Sequence, residues 1–61
     1  MLYKEDGYTV QPLKPEGEYT IDKVTEANGD IYYDVYDKEE NLQNTFDSAA
    51  KARAWAKMMS E

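Results

Sequence analysis

The chain has 61 residues, of which 41% are hydrophobic and 33% are charged, and its 7 basic and 13 acidic side chains give a net charge of −6. This length has room for one small core, so residues 1–61 are predicted to form a single domain. There is no cysteine and no histidine, which excludes disulfides, thiolate chemistry, the usual zinc sites and the commonest general base.

The aromatic content, six tyrosines, one tryptophan and one phenylalanine, favours a folded chain over a disordered one, because aromatic side chains bury large areas. The absence of cysteine favours a reducing compartment. No segment approaches the roughly 20 apolar residues of a membrane span, and the N-terminal segment lacks an apolar run of signal-peptide length. We therefore expect a cytoplasmic protein with no membrane partner.

Three runs rich in β-branched and aromatic residues predict strands at Tyr8–Leu13, Glu18–Thr25 and Ile31–Asp37. Turn signals separate them at Lys14–Gly17 and Ala27–Asp30, where proline and glycine favour the required backbone angles. Because both turns are short, consecutive strands are predicted to pair as antiparallel hairpins.

From Asp47 onward the spacing of apolar residues is that of a helix. One helical face is predicted to hold Ala49, Ala52, Trp55, Ala56 and Met59. Asp47 or Ser48 can cap the first turn, and Phe46 precedes it as an apolar anchor. The predicted fold is α+β, a three-stranded antiparallel β-meander followed by one C-terminal α-helix packed on one face, in two layers.

The Ala27–Gly29 segment is compatible with two registers of the second and third predicted strands. A three-residue loop with Gly29 as the bulge residue places Ile21 opposite Val35, whereas a two-residue turn places Ile21 opposite Tyr36. The first register groups the aliphatic residues better, and the second places Lys23 opposite Asp34 as a charge pair. We favour the first and keep the second open, because a one-residue slip exchanges the two faces of a strand.

The same loop type at Pro15–Gly17 predicts that Leu13 lies opposite Tyr19 and Gln11 opposite Ile21. One face of the sheet then collects the larger apolar residues, Leu13, Tyr19, Ile21, Ile31, Tyr33 and Val35. We expect the helix to pack on this face.

The opposite face is predicted to be half apolar, aromatic and acidic. Its members are Tyr8, Val10, Asp22, Val24, Tyr32, Asp34 and Tyr36. Tyrosine is enriched at protein interfaces, where its ring buries area while its hydroxyl makes hydrogen bonds. We predict a partner-binding site formed by Tyr8, Asp22, Val24, Tyr32, Asp34 and Tyr36. The alternative is that these tyrosines serve strand formation alone.

In the favoured register Asp22 lies opposite Asp34, and two facing carboxylates repel unless they are solvated, paired or bridged by a cation. A calcium site needs about six oxygen ligands, and the acidic runs lack the spacing of a calcium-binding loop. The chain has two serines and no histidine, so it offers no nucleophile with a base to activate it. We predict no metal, no cofactor and no enzymatic activity.

The segment Thr45–Ala56 combines an apolar anchor, a helix cap and an alanine-rich helix. Together with the predicted order of three strands and a helix, it resembles the small DNA-binding domains of the AP2 and integrase-arm types. The resemblance implies a nucleic-acid-binding function that uses Lys51, Arg53 and Lys57. Those domains present arginine and aromatic side chains from the sheet, whereas this chain has Asp22, Asp34 and Asp37 there. The acidic strands thus disfavour nucleic acid as a partner.

The leading hypothesis is a small acidic protein-interaction module, a regulator or inhibitor of the phage or mobile-element type, whose carboxylates steer a basic partner surface. A sharper form is DNA mimicry, in which carboxylates stand in for phosphates. Two alternatives remain, a nucleic-acid-binding domain and a homodimer formed through the aromatic and acidic face.

Overall fold

The computed structural model of the chain describes the backbone of residues 3–5 and 7–60 and the side chains of residues 7–60. A helix packs on one antiparallel sheet, which confirms the predicted α+β class. In chain order the elements are β1 (Tyr3–Glu5), β2 (Tyr8–Pro12), β3 (Thr20–Thr25), β4 (Ile31–Tyr36), β5 (Leu42–Phe46) and α1 (Ala49–Ser60). Each strand pairs with the next one along the chain.

The prediction of three strands is wrong, because the described residues form a sheet of five strands. The three predicted strands correspond to β2, β3 and β4, and the sheet continues with β1 on one side and β5 on the other. The sequence of β5, Leu-Gln-Asn-Thr-Phe, has little β-branched content, and no glycine marks the loop before it. The signals used to recognise a strand and its turn are therefore weak at this position.

The hairpin between β3 and β4 has the favoured register, with Ile21 opposite Val35. Its loop closes where the amide of Glu26 donates to the carbonyl of Asp30 at 2.8 Å. Gly29, with φ of +95°, donates its amide to the carbonyl of Glu26 at 2.9 Å. These bonds define the three-residue loop with a glycine bulge, so the two-residue turn does not form.

The loop between β4 and β5 repeats this arrangement without a glycine. The amide of Asp37 donates to the carbonyl of Asn41 at 3.1 Å, and the amide of Glu40 donates to the carbonyl of Asp37 at 3.0 Å. Glu40 occupies the position that Gly29 has in the other hairpin, with φ of +66°. A side chain with a Cβ is strained in this left-handed region, by roughly 1–2 kcal/mol.

The predicted register between β2 and β3 is wrong by two residues. Val10 lies opposite Val24, and the amide of Leu13 donates to the carbonyl of Ile21 at 2.8 Å, so Leu13 does not pair with Tyr19 or Gln11 with Ile21. The reason is a tighter turn between Glu16 and Tyr19, which exchange two backbone hydrogen bonds. Gly17 takes its positive φ of +62°. An even shift leaves every side chain on its predicted face.

The core is the contact between the predicted sheet face and two alanines of α1. Ile21 and Val35 of the sheet and Ala52 and Ala56 of the helix are all completely buried. The partly buried side chains around them are Leu13, Tyr19, Tyr33, Phe46 and Trp55. The helix therefore covers the predicted face. Two predicted members of this layer are exceptions, because Ile31 is 44% and Met59 50% exposed.

Trp55 extends the core between two aromatic side chains of the sheet side. Its ring meets Tyr19 edge-on at a centroid distance of 5.4 Å and Phe46 at 6.1 Å, within the range favoured by aromatic pairs. At the start of the helix, the hydroxyl of Ser48 accepts the amide of Lys51 at 3.1 Å, which identifies Ser48 as the N-cap. Asp47 instead forms an ion pair with Lys51 at 3.1 Å.

The β2–β3 loop is attached to α1 through the side chain of Arg53 and through a close approach to Ser60. Arg53 donates to the carbonyl of Lys14 at 3.2 Å and forms an ion pair with Glu16 at 3.6 Å. Gly17 approaches the last turn so closely that a Cβ at this position would collide with Ser60. This loop is therefore positioned by the helix as well as by its two strands.

We expect the substitution Glu40→Gly to raise the free energy of unfolding by about 0.5–1 kcal/mol, because glycine adopts positive φ without steric cost. Urea unfolding followed by tryptophan fluorescence measures the change. The matched substitution Gly29→Ala introduces a Cβ at the equivalent position of the other hairpin and should lower the stability. A destabilised Glu40→Gly variant would contradict this account of the loop.

Candidate partner-binding surface

The sheet face opposite α1, called the open face, carries all six residues predicted to bind a partner. The strand register places them there, with Asp22 opposite Asp34 and Val24 opposite Tyr32. The open face is therefore defined by Tyr8, Val10, Pro12, Asp22, Val24, Tyr32, Asp34 and Tyr36. The structure brings the predicted residues to one face, but their accessibility differs.

Val24 does not present contact area on the open face, because it is only 4% exposed. Its cross-strand neighbours Val10 and Tyr32 are half-buried, as is Tyr8. Val24 belongs to a small apolar cluster on this side of the sheet. Val24 therefore packs beneath its neighbours, and the half-buried residues around it supply the accessible surface of the open face.

The hydroxyl of Tyr32 interacts with an acidic side chain at the end of β3. Partial burial, followed by the negative charge of Glu26 and a hydrogen bond donated to its carboxylate, raises the pKa of Tyr32. These effects favour the neutral phenol. Tyr32 thus offers a partner its ring more readily than its hydroxyl.

Asp22 and Asp34 form a facing pair of carboxylates in the middle of the open face. The Asp34 carboxylate accepts a hydrogen bond from the Thr45 hydroxyl at 2.9 Å. Partial burial, followed by the charge of Asp34, raises the pKa of Asp22. The ion pairs found among the described residues join other side chains, namely Lys38–Glu18, Lys51–Asp47 and Arg53–Glu16. In that part of the chain, no cation compensates the facing pair.

A groove of about 620 Å³, called the end groove, opens where the open face meets the β2–β3 and β4–β5 loops. Its apolar lining comes from Pro12, Leu13, Pro15 and Tyr36. The charged and polar lining comes from Thr20, Asp22, Asp37, Lys38 and Glu40. Sequence reasoning missed this groove because one wall is the loop to β5, a strand that it did not predict.

Asp37 organises the β4–β5 wall of the end groove. Its carboxylate accepts the amides of Glu39 and Asn41, each at 2.9 Å, and the side-chain amide of Gln43 at 3.1 Å. The backbone bond from Asn41 is the largest of the effects that lower the pKa of Asp37. This carboxylate is therefore used within the loop, whereas Asp22 has no such donors among the described residues.

Of the three basic side chains of α1 that a nucleic-acid site would use, two already form ion pairs. Lys51 pairs with Asp47, and Arg53 pairs with Glu16 and binds the carbonyl of Lys14. Within residues 7–60, only Lys57 of the three has no ion pair. The helix does not display a cluster of uncompensated positive charge.

Within the part of the chain that the structure describes, no group of three acidic, histidine or cysteine side chains is placed to hold a metal ion. In the same part, no helix has the length and apolar character needed to cross a membrane.

Comparisons with known proteins give no family for this chain. No protein-family model matches it. No curated protein and no solved structure matches it either.

Replacing Asp22 by asparagine and replacing Asp37 by asparagine should change the free energy of unfolding in opposite directions. The pKa of Asp22 is raised in the folded chain, so the folded state holds this proton more tightly than the unfolded state does. The free energy of unfolding therefore falls as the pH rises and Asp22 ionises. We expect Asp22→Asn to raise the free energy of unfolding at pH 7, by about 0.5 kcal/mol for a facing like-charge pair. The gain should disappear as the pH falls below the ordinary value of 3.8.

The control is Asp37→Asn, since the pKa of Asp37 is lowered by hydrogen bonds to its ionised form. Its stabilising contribution is present above pH 3.8 and is lost as the pH falls through the lowered pKa. We therefore expect a less stable variant at pH 7. Urea unfolding of both variants between pH 3 and 7 measures these changes, and a loss of stability in Asp22→Asn at pH 7 would contradict the repulsion argument.

Proposed function

We propose that the chain is a non-enzymatic protein-interaction module whose open face binds a basic surface of a partner protein. The observation that carries the proposal is the facing pair of Asp22 and Asp34, which has no compensating cation among the described residues. Such a pair disfavours the isolated fold and favours any state in which a cation lies beside both carboxylates.

The surroundings of the pair support a protein as the source of that cation. Tyr8, Tyr32 and Tyr36 lie on the same face and are half-buried, and tyrosine rings contribute large contact area with little loss of side-chain entropy. The net charge of −6 attracts a basic partner before contact and raises the association rate. Aromatic area with central carboxylates fits a mixed apolar and basic surface better than a purely ionic one.

Two alternatives have less support. Nucleic acid would require free positive charge on α1, where Lys51 and Arg53 already have acidic partners. A homodimer formed through the open face would bring the Asp22–Asp34 pair of one copy against that of the other, which increases the repulsion. A regulator or inhibitor that mimics DNA is a special case of the proposal, because its target would be a DNA-binding protein with a basic surface.

The test is capture of partners by the tagged full chain, followed by identification and reconstitution with the purified candidate. We compare the double variant Asp22→Asn/Asp34→Asn, called the open-face variant, with the control Asp30→Asn/Glu39→Gln. The control also removes two negative charges, but at exposed loop positions. The proposal predicts a protein that binds the native chain and the control but binds the open-face variant at least tenfold more weakly.

The proposal fails if no captured protein distinguishes the two variants. Loss of binding in both variants would assign the effect to net charge alone and would also contradict it. Competition by duplex DNA for the identified partner distinguishes DNA mimicry from other forms of the proposal. Unfolding measurements on both variants establish that the open-face variant is folded.

A further inference from the structure

We infer that the end groove receives an arginine side chain of the partner protein, together with the short peptide segment that carries it. This inference rests on the proposed function and deepens it, because it identifies where on the open face the basic group binds. The groove is large for one side chain, since its volume of about 620 Å³ is typical of sites for whole small ligands. It therefore has room for backbone on either side of the arginine.

The lining of the end groove suits a side chain that has an apolar stem and a positive end. Pro12, Leu13, Pro15 and Tyr36 form its apolar part, against which a methylene stem can pack. Asp22 is a half-buried acid of this lining. A cation at this position lies beside Asp22 and on the side of the face where Asp34 also contributes negative charge.

The other charged residues of the groove do not compete for this role. The Asp37 carboxylate is occupied by the amides of its own loop. Lys38 also lines the groove, but its ammonium group lies 3.7 Å from the Glu18 carboxylate and forms no ion pair with Asp22. Glu40 is exposed and adds negative charge at the entrance. Asp22 is therefore the carboxylate of the lining that gains most from an incoming cation.

Arginine fits this lining better than lysine does. A guanidinium group is planar, stacks on an aromatic ring such as that of Tyr36, and binds a carboxylate through two parallel hydrogen bonds. It is also less strongly hydrated than an ammonium group, so it loses less on entering a half-apolar groove. A lysine analogue thus provides the comparison that tests recognition of the guanidinium group.

The experiment is a titration of the isotope-labelled full chain with Nα-acetyl-arginine-methylamide, followed by amide chemical shifts. We expect saturable shifts at the groove residues Leu13, Thr20, Asp22 and Tyr36. The amides of Ala27 and Asn28, which line a separate groove beside Tyr8, should not shift. The matched lysine compound should bind about threefold more weakly.

Two variants with the same change in charge decide between a site and general attraction. Asp22→Asn should weaken binding of the arginine compound at least tenfold, which corresponds to about 1.4 kcal/mol. Glu39→Gln removes one charge from the β4–β5 loop, at a residue that does not line the groove. This variant should leave the affinity unchanged. Shifts that do not saturate, or equal losses in both variants, would overturn the inference.

The outcomes separate this inference from the proposed function. If the arginine compound does not bind while the open-face variant still loses its partner, the end groove is not the position of the basic group and the interaction module stands. If the compound binds but no partner distinguishes the open-face variant from its control, the proposed function fails and a small-ligand site remains. Equal binding of the lysine compound would overturn the preference for arginine.

Discussion

The structure depends on the close contact of two alanines with two aliphatic residues of the sheet. Ala52 and Ala56 bury their methyl groups completely against Ile21 and Val35, and small side chains let the helix lie near the strands. A 61-residue domain has little further apolar area to bury, so Trp55 and its aromatic neighbours enlarge this contact. The residues that alternate with Ile21 and Val35 along β3 and β4 necessarily face the other way, which is how Asp22 and Asp34 come to share the open face.

The parts of the fold that were predictable are those where local chemistry and periodicity agree. Gly29 allowed the bulged hairpin to be recognised, and the alternation along β3 and β4 then assigned both faces. The predicted β2–β3 register is wrong because the tight turn consists of Gly17 and Glu18, closed by Glu16 and Tyr19, rather than of the Pro15–Gly17 segment. The strand β5 was missed because its loop places Glu40 where such hairpins favour glycine.

The six residues of the predicted surface follow from side-chain alternation, and the two-residue error in register preserves it. The burial of Val24 and the position of the end groove depend on neighbours that alternation does not identify. The groove in particular is formed by two loops that meet only after β5 has joined the sheet.

The attachment of the β2–β3 loop to α1 has a mechanical consequence for the end groove. Pro15 lines the groove, while the adjoining residues Lys14 and Glu16 are bonded to Arg53 and Gly17 lies against Ser60. One wall of the groove is thus carried by the helix on the far side of the sheet. A substitution that displaces α1 would therefore also displace this wall, so the width of the groove depends on helix residues that do not line it.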